Sequence, residues 1–200
     1  WVGPIQGGTY LDLLSYSATQ MNRLDFDILA IGSPTQIMES YMFDKLADMI
    51  YTVKTNVSPS KPIHLFGAGH PIVFSIAVAL GCDLFDSAAY ALFARDDRVI
   101  LPYGTVKLSN LMYSVCSCPV CRKYDPSELK EMDKGEREPL IARHNLYVCM
   151  EELNRIRQAI YEGRLWQYVQ MRARSHPRVL NAVKKFKKYV DKILRHDPVS

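Results

Sequence analysis

The sequence predicts an α/β fold in which a parallel sheet comes first and a cysteine-bearing segment follows it. Three observations lead there. Four short apolar runs in the first half each end in glycine or polar residues, and the stretch reads as strand–loop–helix four times over. The runs are continuous rather than alternating, the pattern of strands covered on both faces. Three of the five cysteines then fall within six residues. Strand–loop–helix alternation builds parallel sheets through helical crossovers. Four such units fit either half of an eightfold barrel or a small open sheet. In both, chemistry belongs at the C-terminal ends of the strands.

In chain order, residues 2–6 are apolar and stop at Gly7-Gly8. Residues 11–24 have helical spacing through Leu11, Leu14, Ala18 and Met21. Residues 26–31 read as a buried strand ending at Gly32-Ser33-Pro34. Residues 37–52 read as one helix, 56–62 as a linker, and 63–66 as a strand ending in Gly67-Ala68-Gly69. A helix over 71–80 and a short strand over 83–85 lead into Asp86-Ser87. Residues 89–108 read as an irregular insertion with a hairpin turning at Pro102-Tyr103-Gly104. A charged stretch over 123–139 follows the cysteines, then a long helix from about 140 to 162 and further helix to about 194. Three segments are expected: 1–88 with the strand ends, 89–145 as the insertion, and 146–200 as closing basic helices.

Apolar residues make up 48% of the 200 and charged residues 23%, ordinary values that exclude disorder, collagen-like repeats and coiled coil for the whole chain. No apolar run approaches the roughly 18 residues of a membrane span, and the N-terminus has no signal-peptide pattern. The chain opens without Met, straight into a strand, and is expected to begin inside a domain. Net charge is only +4, but residues 155–196 hold twelve Lys or Arg against two acids. That bias fits a polyanion such as nucleic acid, or a solvated helix face.

Cys116-Ser117-Cys118-Pro119-Val120-Cys121 gives C-x-C-x2-C, and His144 follows after 22 intervening residues. Three thiolates from one tight loop and one imidazole from a helix make a closed tetrahedral shell for one structural Zn²⁺ per chain. An odd, clustered count argues against a disulfide framework and for a reducing, cytoplasmic setting. Cys82 and Cys149 read as buried small apolar residues.

On these motifs the chain resembles the tRNA-guanine transglycosylases, most closely the archaeal members that insert the archaeosine precursor. The matching segments are Gly3-Pro4-Ile5-Gln6-Gly7-Gly8-Thr9-Tyr10, Phe26-Asp27-Ile28-Leu29-Ala30-Ile31-Gly32-Ser33-Pro34, His64-Leu65-Phe66-Gly67-Ala68-Gly69-His70-Pro71, Gly81-Cys82-Asp83-Leu84-Phe85-Asp86-Ser87-Ala88, the 116–121 loop and Arg143-His144-Asn145. Arg95-Asp96-Asp97-Arg98 and Arg174-Ser175-His176-Pro177 also look archaeal. The resemblance implies the C-terminal half of a (βα)8 TIM barrel with an inserted zinc-binding subdomain. It implies exchange of a guanine in tRNA for a free 7-deazaguanine, preQ0 in the archaeosine pathway.

Asp86 matches the family's nucleophile; by position alone it would fit a helix-capping or solvent-facing acid. Gln6, Gly7, Gly32, Ser33 and Phe66 match residues that bind the base. His70 fits either a phosphate or ribose contact or a plain helix N-terminal position. The implied partners are tRNA, the free base, the N-terminal half of the enzyme or a complementary subunit, and a second copy of the chain; no membrane is implied. The family's acid/base Asp has no counterpart before Trp1. Two other readings remain: an inert paralogue that binds tRNA or scaffolds an active partner, and a zinc-containing barrel enzyme acting on free nucleosides.

Overall fold

The computed structural model describes residues 1–196. Residues 197–200 of the expected segment 146–200, and the Lys188 side chain of its basic run, lie outside the described residues. The fold is mixed α/β, with a parallel sheet as expected. Its strands are β1 (Val2–Ile5), β2 (Ile28–Ile31), β3 (Ile63–Leu65) and β4 (Leu84–Phe85), paired in the order β1-β2-β3-β4. Between them run α1 (Leu11–Arg23), α2 (Thr35–Glu39), α3 (Phe43–Lys54) and α4 (Pro71–Ala79).

Sequential order matters here. Parallel crossovers share one hand, so strands laid side by side in chain order place every connecting helix on the same face. An order that reverses would be needed to cover both. The strands show the result. Ile5, Ile31 and Leu65 point to the helices and are wholly buried. On the opposite face Val2 is 49% and Leu84 41% exposed. Burial on both faces, expected from the continuous apolar runs, therefore fails for β1 and β4. An apolar strand sequence fixes neither which face is covered nor whether the strand is central.

The helical reading of 37–52 is corrected to two helices. Tyr41 adopts φ 55°, in the left-handed region, and breaks the run between α2 and α3. The break lets Phe43 turn inward to 2% exposure while the Tyr41 ring stacks on His176, centroids 5.4 Å apart. Periodicity is continuous across the break because apolar side chains serve both helices.

After β4 the supposedly irregular stretch begins with a helix, α5 (Ala89–Arg95). The hairpin is β5 (Arg98–Leu101) with β6 (Gly104–Lys107), turning at Pro102-Tyr103. A 3₁₀ turn at Leu108–Asn110 leads to the cysteines. The charged stretch then folds into α6 (Pro126–Glu131) and the first turns of α7 (Lys134–Tyr161). That helix starts well before the expected residue 140 and carries Pro139 inside it. Pro139 cannot donate to the Gly135 carbonyl, but Gly135 is exposed, so water can take that carbonyl. The final helical stretch is α8 (Leu165–Ala173) and α9 (Pro177–His196), separated by Arg174-Ser175-His176 before a proline that opens α9.

Two apolar clusters result. The larger joins α1, α3 and α4 to β1–β3 and to the later helices through Val148, Ile156, Val169, Val183 and Phe186. The smaller holds Ala94, Val99, Leu108, Leu111, Cys118, Val120, Leu129 and Ile141. α7 serves both, Ile141 in one and Val148 in the other. The boundary drawn between 145 and 146 falls inside this helix. Among the described residues, no helix is long and apolar enough to cross a membrane.

Candidate active site and metal centre

Strand register assembles the site. Ile5 pairs with Ile31, Ile31 with Leu65, and Leu65 with Phe85. One residue further on, Gln6, Gly32, Phe66 and Asp86 form the next row across the C-terminal edge of the sheet. Side chains alternate along a strand, so this row faces away from the helices, on the bare side. Four of the residues singled out in the sequence are thus placed together by pairing alone.

Within the row the groups touch in two sets. The Gln6 amide lies over Gly32, where a Cβ would meet Gln6 Nε2 at 2.5 Å. The Ser33 hydroxyl reaches Gln6 Oε1 at 3.5 Å, and Ser33 holds φ 63°, a strained value for a residue with a side chain. At the other end, Asp86 Oδ1 accepts from the Gly67 N–H at 2.6 Å and lies 2.9 Å from His64 Nε2. The His64 ring packs edge-on against Phe66, centroids 5.4 Å apart, and Phe66 is 56% exposed. His64 was missed in the sequence; a lone polar residue inside the strand Ile63-His64-Leu65 was the available signal.

Gly7 has a different reason to be glycine than ligand approach. At φ 150° a Cβ there would lie 2.5 Å from the Leu14 backbone nitrogen, so the requirement comes from packing against α1. His70 takes the helix N-terminal role: its Nδ1 accepts the Ile72 N–H at 3.1 Å and caps α4. Burial pushes its imidazole down to about 4, with the nearby Arg98 charge adding to the effect.

A cavity of about 570 Å³ opens beside Asp86 and Gly67, bounded by Tyr41, His70, Phe93 and Arg98. It does not reach Gln6, Ser33 or Phe66, which stand on the open sheet face. Of the basic C-terminal residues, Arg155, Arg164 and Arg172 pair with Glu151, Glu162 and Glu152, and Lys185 bonds Asp48 at 2.5 Å. Lys184, Lys187 and Arg178 face solvent.

Cys116, Cys118, Cys121 and His144 converge as the spacing foretold, their ligand atoms within 4.8 Å of one another. The three sulfurs lie 3.6, 3.5 and 3.4 Å from His144 Nδ1, and Cys116 Sγ is 3.7 Å from Cys121 Sγ. A tetrahedron with metal–sulfur arms near 2.3 Å and a metal–nitrogen arm near 2.0 Å has edges of about 3.5 and 3.8 Å. The donors already stand at that spacing. Burial pushes the Cys116 thiol up to about 12 and raises Cys121 as well; a cation at the centre reverses that preference. Burial also lowers the His144 imidazole, which favours the neutral ring a metal needs.

Second contacts set the ring. His144 Nε2 donates to the Ile100 carbonyl at 3.0 Å, leaving Nδ1 bare towards the sulfurs. The next residue, Asn145, accepts the Ile100 N–H at 2.7 Å and donates to the Tyr90 and Arg98 carbonyls at 3.0 and 3.1 Å.

The family model for queuine tRNA-ribosyltransferase matches residues 1–178. The chain is 50% identical over 196 residues to the tRNA-guanine(15) transglycosylase of Thermococcus kodakarensis, covering 98% of this chain and 34% of that protein. It is 51% identical over 201 residues to that of Methanocaldococcus jannaschii, covering 99% and 31%. With the Sulfolobus acidocaldarius enzyme it shares 50% over 200 residues, covering 99% and 40%. The chain therefore spans about a third of the length of the curated relatives it matches.

Proposed function

Because the chain belongs to the queuine tRNA-ribosyltransferase family, we propose that it is the nucleophile-bearing part of a tRNA-guanine transglycosylase. The carrying observation is the row Gln6–Gly32–Phe66–Asp86 at the C-terminal strand ends, with the Asp86 carboxylate anchored at its end. Asp86 attacks C1′ of the target ribose. The C1′–N bond to guanine breaks with its electron pair passing to the base, and the oxocarbenium-like transition state is stabilised by the carboxylate. A free 7-deazaguanine then attacks C1′ and displaces Asp86, so configuration is retained. The departing guanine takes up a proton and the incoming base gives one up, through an acid/base group of the complete active site. The target nucleotide leaves its stack before reaction.

Gln6 offers donor and acceptor to a purine edge, Gly32 and Ser33 give backbone groups, and Phe66 packs on the base face. Names of the relatives favour guanine 15 of tRNA as the target; preQ0 is the incoming base most consistent with the archaeal resemblance.

Sequential parallel strands with one bare face are what half of a closed (βα)8 barrel requires, so the remaining strands are supplied by the rest of the polypeptide or a complementary subunit. Cys116, Cys118, Cys121 and His144 hold zinc; with all four positions filled by protein, the ion supplies folding energy and no chemical step. The exposed cations of α9 meet tRNA phosphates. The assembly is a homodimer working in the cytoplasm.

Trapping the complete polypeptide with tRNA and weighing the peptides tests the mechanism. A ribose-linked adduct on Asp86, absent in Asp86→Asn, is expected; an unlabelled Asp86 peptide under turnover would refute it.

A further inference from the structure

We infer that His64 is a positioning residue for the Asp86 nucleophile, fixing one carboxylate oxygen so that the other attacks, and that it returns the same help when the carboxylate leaves. This rests on the function proposed above and assigns a role to a residue outside the set read from the sequence.

His64 and Asp86 come from neighbouring strands. His64 pairs with Leu84 across β3 and β4, two residues before Asp86, so both side chains emerge on the bare face. An ionised carboxylate only accepts, so the 2.9 Å contact requires a proton on His64 Nε2. The Gly67 N–H, at 2.6 Å, falls on the same oxygen, Oδ1. Oδ2 has no hydrogen-bond donor among the described residues. The two oxygens are therefore unequal: Oδ1 is doubly anchored and Oδ2 is presented.

His64 can hold this geometry because it is itself held. Its side chain is only 17% exposed, against 47% for Asp86, and its ring lies edge-on against Phe66. A charged-acceptor hydrogen bond from a fixed ring restricts the carboxylate more than water does. Without it, Gly67 alone leaves Asp86 free to swing about one contact.

The arrangement acts in both displacements. In the first, Oδ2 bonds to C1′ while the C1′–N bond breaks and its electrons go to guanine. Oδ1 is then an ester-type carbonyl still facing two donors. In the second, the incoming base bonds to C1′, the C1′–Oδ2 bond breaks, and its electron pair returns to the carboxylate. Charge reappears partly on Oδ1, where the His64 and Gly67 N–H groups already point. This is the geometry of donors aimed at developing charge, for which loss of one donor costs on the order of 10²-fold in kcat. Gly67 remains in any His64 variant, so a loss of about 10- to 100-fold is expected.

The experiment uses the complete polypeptide with tRNA and a free deazaguanine. His64→Leu removes the donor at similar volume, and His64→Gln restores an N–H on a flexible arm. Expected are a drop in kcat for His64→Leu, little change in the tRNA KM, slower formation and slower discharge of the Asp86 adduct, and recovery of most of the rate in His64→Gln. A kcat within twofold of the parent in His64→Leu overturns the role. So does equal loss in both variants with unchanged melting temperature, which marks a purely steric part. A parent protein that forms no Asp86-dependent adduct overturns the underlying function as well, so the two failures are told apart.

Discussion

Gly69→Ala tests how rigidly the loop after β3 sets Asp86. A Cβ on Gly69 would stand 1.7 Å from Ser87 Cβ and 2.0 Å from its Oγ, where ordinary contact begins at 3.4 Å. Something must move by more than an ångström. Gly69 is buried and its carbonyl accepts from the Cys149 thiol at 3.4 Å, so the β3 side gives little. Ser87 is half-buried and follows Asp86 directly, so displacement is passed to the carboxylate. A misplacement of about 1 Å at a reacting group can cost 10²-fold. Gly69→Ala should therefore lower kcat by about 10²-fold. Overpacking of this kind costs about 1–3 kcal/mol of stability, which leaves the protein folded. Ser87→Gly removes the colliding atoms and leaves only Ser87 Cα at 3.1 Å. The double variant should regain most of the rate although it loses the Ser87 hydroxyl that accepts the Ala89 N–H at 2.8 Å. Single-turnover transfer to tRNA, with melting curves for all four proteins, is the assay. A Gly69→Ala protein within twofold of the parent, or a double variant no faster than the single, would refute the coupling.

Two further predictions concern the insertion. Chelation, or Cys121→Ser, should open the smaller cluster around Leu108, Leu111 and Leu129 while β1–β4 stay protected, because that cluster is closed by the cysteine loop; hydrogen exchange read by mass spectrometry would show it, and uniform loss of protection across the chain would contradict it. Arg137 grips Asp97 with two hydrogen bonds of 2.9 and 2.8 Å and holds its carboxyl below the ordinary value of 3.8. A depressed carboxyl stabilises the fold at pH values above the unfolded value, and that contribution fades as acid protonates it. Arg137→Met should therefore melt lower than the parent at pH 7, with the gap closing as pH falls through 3.8 and below; a gap independent of pH would exclude the ion pair as its cause.

Much of the fold was legible because local signals and tertiary demands agreed. β1, β2 and β4 stop at glycine or polar residues where the apolar runs stop, and β3 stops at Leu65, one residue short of the end of its run at Phe66. α4 begins at Pro71 after the His70 cap, and Pro177 opens α9. Failures arose where one local pattern serves two geometries. Apolar spacing runs unbroken through Tyr41 although the backbone leaves the helical conformation there. Residues 126–139 look like a charged linker because α6 and the start of α7 bury few side chains. At the site, ligand types and spacing announced the cysteines and His144, since metal-binding chemistry restricts which residues can serve. Asp86 was assigned by resemblance, and His64 was signalled only as a lone polar residue inside a strand, because strand register brings them together and register is not written in either strand alone. The buried pair Glu152–Arg172, at 2.8 Å between α7 and α8, escaped notice because the packing of two helices is not written in either helix alone.

Consecutive residues of α7 hold both backbone polar groups of a single residue in β5: His144 takes the Ile100 carbonyl and Asn145 its N–H. A helix thereby seals a hairpin edge that would otherwise invite another strand. It also means that the sulfur-bearing hexapeptide is not a portable unit. Grafted into a foreign scaffold by itself, it would bring three donors and no means of orienting the fourth. The smallest transplantable piece runs from Arg98 to beyond Asn145, hairpin and helix included.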